Sequence, residues 1–241
     1  MEPMRRPVSQ PLHRQIRDLL LGRIQSGDWP PGTYLPSESR LAEDYAVALG
    51  TIRKALLDLA QEGIVLRRQG KGTVVASHDG DETLFRFLNL RRADGSRVRP
   101  ESRVLSVSRG TATEAEFTVL RLNPDAQVIR IARVREVDGR AVIHERVSIG
   151  ADRFAGLEAR ADVLPNTLYQ LYQRGYGQTV HQAEEALTAL PADAEVAAAL
   201  GITPGAPCLN IRRIASDYQG QPLELRVSVI VTDALYYACT L

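Results

Sequence analysis

"YAVALGTIRKALLDLAQEGIVLRRQGKGTVVA", residues Tyr45–Ala76, decides the fold of the first part of the chain. Ile52, Ala55, Leu56 and Leu59 recur at helical spacing from about Leu49 to Glu62, and Gly63 stops the run. "IVLRRQGKGTVV" then alternates and turns at Gly70-Lys71-Gly72, which predicts a two-stranded hairpin. Working outward, a first helix is expected from about Pro11 to Ser26, with Leu12, Ile16, Leu19, Leu20 and Ile24 on one stripe and Gly27 behind it. The prolines of "WPPGTYLPSES" exclude helix. Ser37 then supplies an N-cap for a second helix over about Glu38–Tyr45. Helix, helix, turn, helix and hairpin is the order of a winged helix-turn-helix.

That shape suits duplex DNA. A major groove admits one helix, whose N-terminal residues meet base edges. The outward face of the third helix offers Thr51, Arg53 and Lys54 there. Arg53 suits a bidentate contact to guanine or phosphate, and Lys54 suits phosphate. At the hairpin, Lys71 stands between two glycines, which let the backbone approach a sugar-phosphate wall. "GKGT" is not a nucleotide-binding loop, because Gly-Lys is not followed directly by Ser or Thr. Residues 1–78 carry 11 Lys+Arg against 8 Asp+Glu, whereas the remainder carries 19 against 21. The excess is local, with Arg53, Lys54, Arg67, Arg68 and Lys71 facing only Asp58 and Glu62, and a solvated charged surface is the competing explanation.

At 241 residues, 44% of them hydrophobic, the chain is long enough for two modest domains with real cores. No run of 18 apolar residues is present, so no membrane span is expected, and "MEPMRRPVSQ" has no apolar stretch of a secretory signal behind it. Cys208 and Cys239 lack metal-ligand spacing, so neither metal nor cofactor is expected and a reducing cytoplasm is the expected home. No internal repeat is evident, and no nucleophile stands beside a base. "ASHDGDET" breaks the apolar pattern and reads as a linker.

Residues 11–76 resemble the DNA-binding domain of the GntR family of bacterial transcription factors. "PPGTYLPSE", "TIRKAL" and "RRQGKGT" carry that resemblance in family order. It implies DNA contacts from Ser37, Arg40, Gly50, Thr51, Arg53, Lys54, Arg68, Gly70, Lys71, Gly72 and Thr73. Two departures stand out. Ala48 and Leu49 occupy places where the family usually has Ser-Arg, so a hydroxyl and a base-reading arginine are missing. Ser39 stands where an arginine is common, and Arg40 follows one place later, rotated by about 100°. A shifted operator, weaker phosphate-led binding and a variant with lost function are the readings this leaves open.

Leu84–Leu241 reads as α+β. "VLSVSRG" is an expected strand, and hairpins are expected around Asp138-Gly139 and Gln219-Gly220. "TLYQLYQRGYG" and "ADAEVAAALGI" are expected helices, giving one antiparallel sheet with helices on one face and Tyr236 and Tyr237 closing its edge. Period two places Ile131, Arg133, Arg135 and Val137 on one face, and Glu145 shares a face with Ile143 and Val147. Buried arginines need a bound anion or paired carboxylates. The pattern alone leaves both open: an anion site, or an ion pair to Glu145 with no ligand. "IRIARVREVDGRAVIHERVSI", "LGITPGAPCLNIRRI" and "GQPLELRVSVIVTD" resemble the UTRA effector-binding domain of the HutC subfamily of GntR regulators. That resemblance implies a small-molecule pocket lined by Arg133, Arg135, Glu145, Thr167 and Glu224.

The expectation is therefore an α+β chain with a winged helix-turn-helix over residues 1–76, a linker over 77–83 and a UTRA-like effector and dimerisation domain of chorismate-lyase-like type over 84–241. Its expected partners are a palindromic double-stranded operator, a small anionic effector and a second copy of itself. A chorismate-lyase-like enzyme fused to a degenerate helix-turn-helix is the rival reading.

Overall fold

The computed structural model describes residues 10–78 and 88–239, and residues 79–83 of the linker expected over 77–83 lie outside them. The chain divides into two compact units, Met1–His78 and Asp79–Leu241.

In the first unit, α1 (Leu12–Gln25), α2 (Glu38–Asp44) and α3 (Leu49–Gln61) precede the hairpin β1 (Val65–Arg68) and β2 (Gly72–Val75). The inward stripe of α3 is the one its spacing predicts: Ile52, Ala55, Leu56 and Leu59 are all fully buried. On α1 the buried residues are Ile16, Leu20, Leu21 and Ile24, while Leu12 and Leu19 point to solvent. Leu21 takes the place expected of Leu19, because the 16–20–24 ridge centres the buried face one position later. The Ser37 hydroxyl caps α2 by accepting from the Arg40 amide at 3.2 Å. Gly70 (φ 72°) and Gly72 (φ 105°) turn the hairpin through left-handed backbone that a side chain resists. Tyr34 bridges to Val74, adding a short third run to the wing.

The second unit is a six-stranded antiparallel sheet ordered β4-β5-β6-β9-β8-β7. Its strands are β4 (Glu101–Thr111), β5 (Gln127–Val137), β6 (Arg140–Gly150), β7 (Gln182–Pro191), β8 (Pro207–Ser216) and β9 (Pro222–Ile230). The helices are α4 (Glu114–Leu120), α5 (Leu168–Tyr176) and α6 (Ala194–Leu200), with a 3-10 turn over Leu157–Val163. They lie on both faces, not one. Leu168, Leu171 and Tyr172 of α5 pack with Phe154, Ile129, Ile131 and Val147. Leu120 of α4 packs with Val128 and Leu225, and Val196 and Leu200 of α6 pack with Val134 and Val229. Residues of opposite parity on β5 thus serve opposite layers. Tyr236 and Tyr237 do not close the large sheet. They belong to β10 (Leu235–Tyr237), which pairs with β3 (Leu90–Arg92) as a separate ribbon.

A repeat that the sequence hides appears in the topology. β4-α4-β5-β6 and β7-α6-β8-β9 follow the same path and meet at the β6–β9 pair. Thr113 caps α4 and Asp193 caps α6. Ala112 donates to the Ala126 carbonyl at 2.9 Å, and Ala192 to the Ala206 carbonyl at 2.8 Å. Arg121 and Gly201 end the two helices in left-handed backbone. This correspondence puts Arg133 of β5 and Arg213 of β8 in equivalent places.

Candidate functional site: a basic winged helix and an arginine cavity

The residues expected to face DNA lie on α2, α3 and the wing, and the first unit brings most of them to its surface. Gly50, Arg53 and Lys54 are exposed near the start of α3, and Thr51 is half-buried. Arg68, Gly70, Lys71 and Gly72 are exposed around the wing tip. Ala48 occupies the N-cap of α3 with no side-chain cap, so the first-turn amides of that helix are not met by its side chain. Thr73 departs from the expectation. It is 8% exposed and its carbonyl accepts from Leu35, so it is turned into the unit. Ser37 is occupied as the α2 cap, and Arg40 lies along its own helix with Nε 3.0 Å from Asp44.

Glu38 was not singled out from sequence, yet it organises this surface. Its Oε2 accepts from Arg53 Nε at 2.8 Å and its Oε1 from Arg67 Nη2 at 2.5 Å. One carboxylate therefore ties the start of α2 to α3 and to the wing strand. The Arg53 guanidinium, followed by burial working against it and then Arg67, holds the Glu38 carboxyl below its ordinary range.

In the second unit a cavity of about 40 Å³ opens against the sheet, lined among others by Arg133, Arg135, Glu145, Thr167, Tyr169, Arg213 and Arg226. β5 and β6 place Arg133 opposite Glu145, and Arg133 Nε donates to Glu145 Oε2 at 2.6 Å. The ion pair weighed in the sequence reading is thus present. It does not satisfy Arg135, whose Nη1 stands 3.9 Å from Glu145. Arg135 Nη2 donates to the Asn166 Oδ1 at 3.2 Å and the Pro100 carbonyl at 3.3 Å, and its buried Nε has no partner among the described residues. Burial, only partly opposed by Glu145, and the neighbouring arginines lower Arg135 to about 9. Burial works to raise Glu145, but Arg133, Arg226 and Arg135 outweigh it and hold the carboxylate ionised.

Glu224 does not line the cavity. It sits fully buried behind the wall, where Tyr169 and Tyr172 donate to it at 3.0 and 2.8 Å and Arg226 grips it through two bonds of 2.9 Å. Thr167 does reach the cavity, at the start of α5, and its hydroxyl lies 3.4 Å from the Gln170 side chain. The second arginine wall was not read from sequence. Arg213 donates to Glu185 at 2.7 Å, and Tyr237 from β10 donates to the same carboxylate. The repeat was the missing signal: Arg213 is the counterpart of Arg133. Four guanidiniums, Arg133, Arg135, Arg213 and Arg226, face three carboxylates, Glu145, Glu185 and Glu224.

Residues 12–75 match the family model described as bacterial regulatory proteins, gntR family, and residues 81–235 match that of the UTRA domain. The HTH-type transcriptional repressor NagR of Bacillus subtilis is 29% identical over 220 residues, 91% of this chain and 90% of that protein. The histidine utilization repressor of Pseudomonas putida is 28% identical over 207 residues, 84% of this chain and 81% of that protein. Among solved structures, PhnF from Mycobacterium smegmatis aligns over 94% of this chain and 98% of its own with a TM-score of 0.56 and 27% identity. These matches cover both units in order and leave no support for the lyase reading. The chain belongs to the GntR family of bacterial regulators, a DNA-binding transcriptional regulator whose helix-turn-helix unit is followed by a UTRA domain.

Proposed function

We propose that the protein is a homodimeric repressor that leaves a palindromic operator when a small anion enters the arginine cavity. The observation that carries the effector part is Arg135: a buried guanidinium whose Nε has no partner among the described residues, where four guanidiniums share three carboxylates. Isolated buried charge is costly, and an incoming acid group would relieve it. Asn166 and Thr167 stand beside it as further hydrogen-bonding groups. An acid group beside Arg135 competes with the internal carboxylates for the arginines. Arg133 and Arg226 both engage Glu145, so such a competition is felt on β5, β6 and β9 together. The relatives named as repressors support the sign of regulation. The dimer is inferred from geometry, since one winged helix reads one half-site and a two-fold site matches a two-fold protein. The site of action is the cytoplasm, where bacterial DNA lies, and among the described residues no helix is long and apolar enough to cross a membrane.

A thermal-shift screen against anionic metabolites tests the reading directly. At least one carboxylate or phosphate compound is expected to raise the melting temperature and release operator DNA. Arg135→Gln is expected to retain operator binding and lose both responses. An effector response that survives Arg135→Gln would leave the Arg133–Glu145 ion pair as a purely structural feature and overturn the anion site.

A further inference from the structure

The cavity of the second unit has a charged side and an apolar side, and the strand registers show how they adjoin. Across β5, β6, β9 and β8, Arg135 is paired with Ile143, Ile143 with Ile230 and Ile230 with Leu209. One guanidinium thus heads a row of aliphatic side chains. In the next row Arg133 is paired with Glu145, Glu145 with Ser228 and Ser228 with Ile211. Ile143, Ile211 and Ile230 line the cavity together with Leu88, and those four belong to one buried apolar cluster.

The neutral polar groups of the wall are largely engaged already. Asn166 Oδ1 accepts from the Ser102 hydroxyl at 2.8 Å and from Arg135, and its Nδ2 donates to the Pro100 carbonyl at 2.9 Å. Tyr169 donates to Glu224, and Tyr237 donates to Glu185. Thr167, bonded to Gln170 at 3.4 Å, and Ser228 are the aliphatic hydroxyls that line the cavity. A polyol in this place would set several hydroxyls against isoleucines, and a buried polar group without a partner is costly. Charge points the same way. Among the described residues four guanidiniums share three carboxylates, an excess of one positive charge. A carboxylate brings a single negative charge, whereas a phosphate monoester brings about −1.5 to −2 near pH 7.

We infer that the effector is a monocarboxylic acid with an aliphatic body. Its carboxylate meets Arg135, and its chain crosses β6 and β9 over Ile143 and Ile230 toward Ile211. This rests on the anion site proposed above and names the class of anion. Arg135 then selects for the acid group, and the three isoleucines select for the chain behind it.

Calorimetric titration of the full wild-type chain with butanoate, hexanoate, hexanol and glucose 6-phosphate tests the assignment. Hexanoate is expected to bind about five- to fifteenfold more tightly than butanoate, because two more methylene groups leave water. Hexanol lacks the charge and glucose 6-phosphate lacks the apolar body, and both are expected to bind about tenfold or more weakly than hexanoate. Ile230→Thr is expected to shrink the preference for hexanoate over butanoate, and the wild-type series decides the matter even where that variant fails to fold. Equal affinity for butanoate and hexanoate, or hexanol binding as tightly as hexanoate, would overturn the aliphatic acid. Binding of glucose 6-phosphate without binding of hexanoate would overturn it too, while leaving the anion site in place. If none of the four binds, the class is wrong, and the wider acid screen decides the anion site separately. Hexanoate binding as tightly to Arg135→Gln as to wild type would remove the class and the anion site together.

Discussion

Glu38 holds two arginines with one carboxylate, and that is a constraint on what those arginines can do at a DNA surface. A guanidinium fixed at Nε keeps its other nitrogens in one plane, which favours a single base edge over a wandering phosphate contact. Glu38→Gln is expected to loosen this aim: affinity for random duplex rises and the ratio of operator to random binding falls. Arg53→Ala is expected to remove about 1–3 kcal/mol of discrimination at one position of each half-site. Lys71→Ala, at the wing tip, is expected to weaken every duplex and lower the salt slope by about one. A competitive binding titration at several salt concentrations separates the three patterns. An unchanged specificity ratio in both Glu38→Gln and Arg53→Ala would remove Arg53 from base reading. Leu49 belongs to the same surface. Half-buried at the first position of α3, it supplies no hydrogen bond where the family usually places an arginine. Leu49→Arg is expected to raise affinity for a family-type operator in the same titration, and no change would mean that its position never faced a base.

At the scale of elements, α4 is the best-anchored short helix. Thr113 and Glu116 form a capping box, with Glu116 Oε2 accepting from the Thr113 amide at 2.8 Å. Glu116 also accepts from Arg130 Nε at 2.8 Å and from the Ser148 hydroxyl at 2.7 Å, so the cap is bonded to β5 and β6. Burial pushes Glu116 up, but Arg130, the Thr113 amide and Ser148 outweigh it and bring the carboxyl to about 2. A folded-state value below the ordinary one stabilises above roughly pH 4.3, the unfolded value. That contribution is lost as pH falls toward 2. Glu116→Gln is therefore expected to lower the urea midpoint at pH 7, with the gap to wild type narrowing below about pH 4 and closing only as pH reaches 2 and below, and Thr113→Ala to lose about 1 kcal/mol. A gap between Glu116→Gln and wild type that stays constant with pH would mean that charge plays no part in the cap. Elements with local signals were legible from sequence. The α3 stripe, Gly70-Lys71-Gly72 and Asp138-Gly139 each carry periodicity or turn chemistry within a few residues. β7 was not, because "QAEEALTAL" is made of good helix formers and becomes a strand only through its partner β8. Arg133, Arg135 and Thr167 were expected at a cavity through the resemblance to the UTRA domain, since alternation by itself left an ion pair to Glu145 as open as a ligand site, and a helix start by itself is only a cap. Arg213 was not, since its role depends on a repeat that survives in backbone path and little in sequence.

On the scale of the whole molecule, a formal charge of +1 conceals a division, with residues 1–78 basic and the remainder slightly acidic. The two units thus have opposite relations to a polyanion, and effector control needs a free-energy link between a site on each. Such links run to about 1–3 kcal/mol, a factor of roughly 5 to 150 in affinity. The link is reciprocal. If the anion found by thermal shift weakens operator binding by some factor, operator must weaken anion binding by that same factor. Calorimetric titration of that anion into free protein, and into protein saturated with operator duplex, measures the second factor, and operator binding with and without saturating anion measures the first. Equality within error is expected for wild type. Unequal factors in the wild-type protein would mean that anion and operator are not biasing one shared equilibrium, and the proposed mode of release would be wrong even with both sites intact.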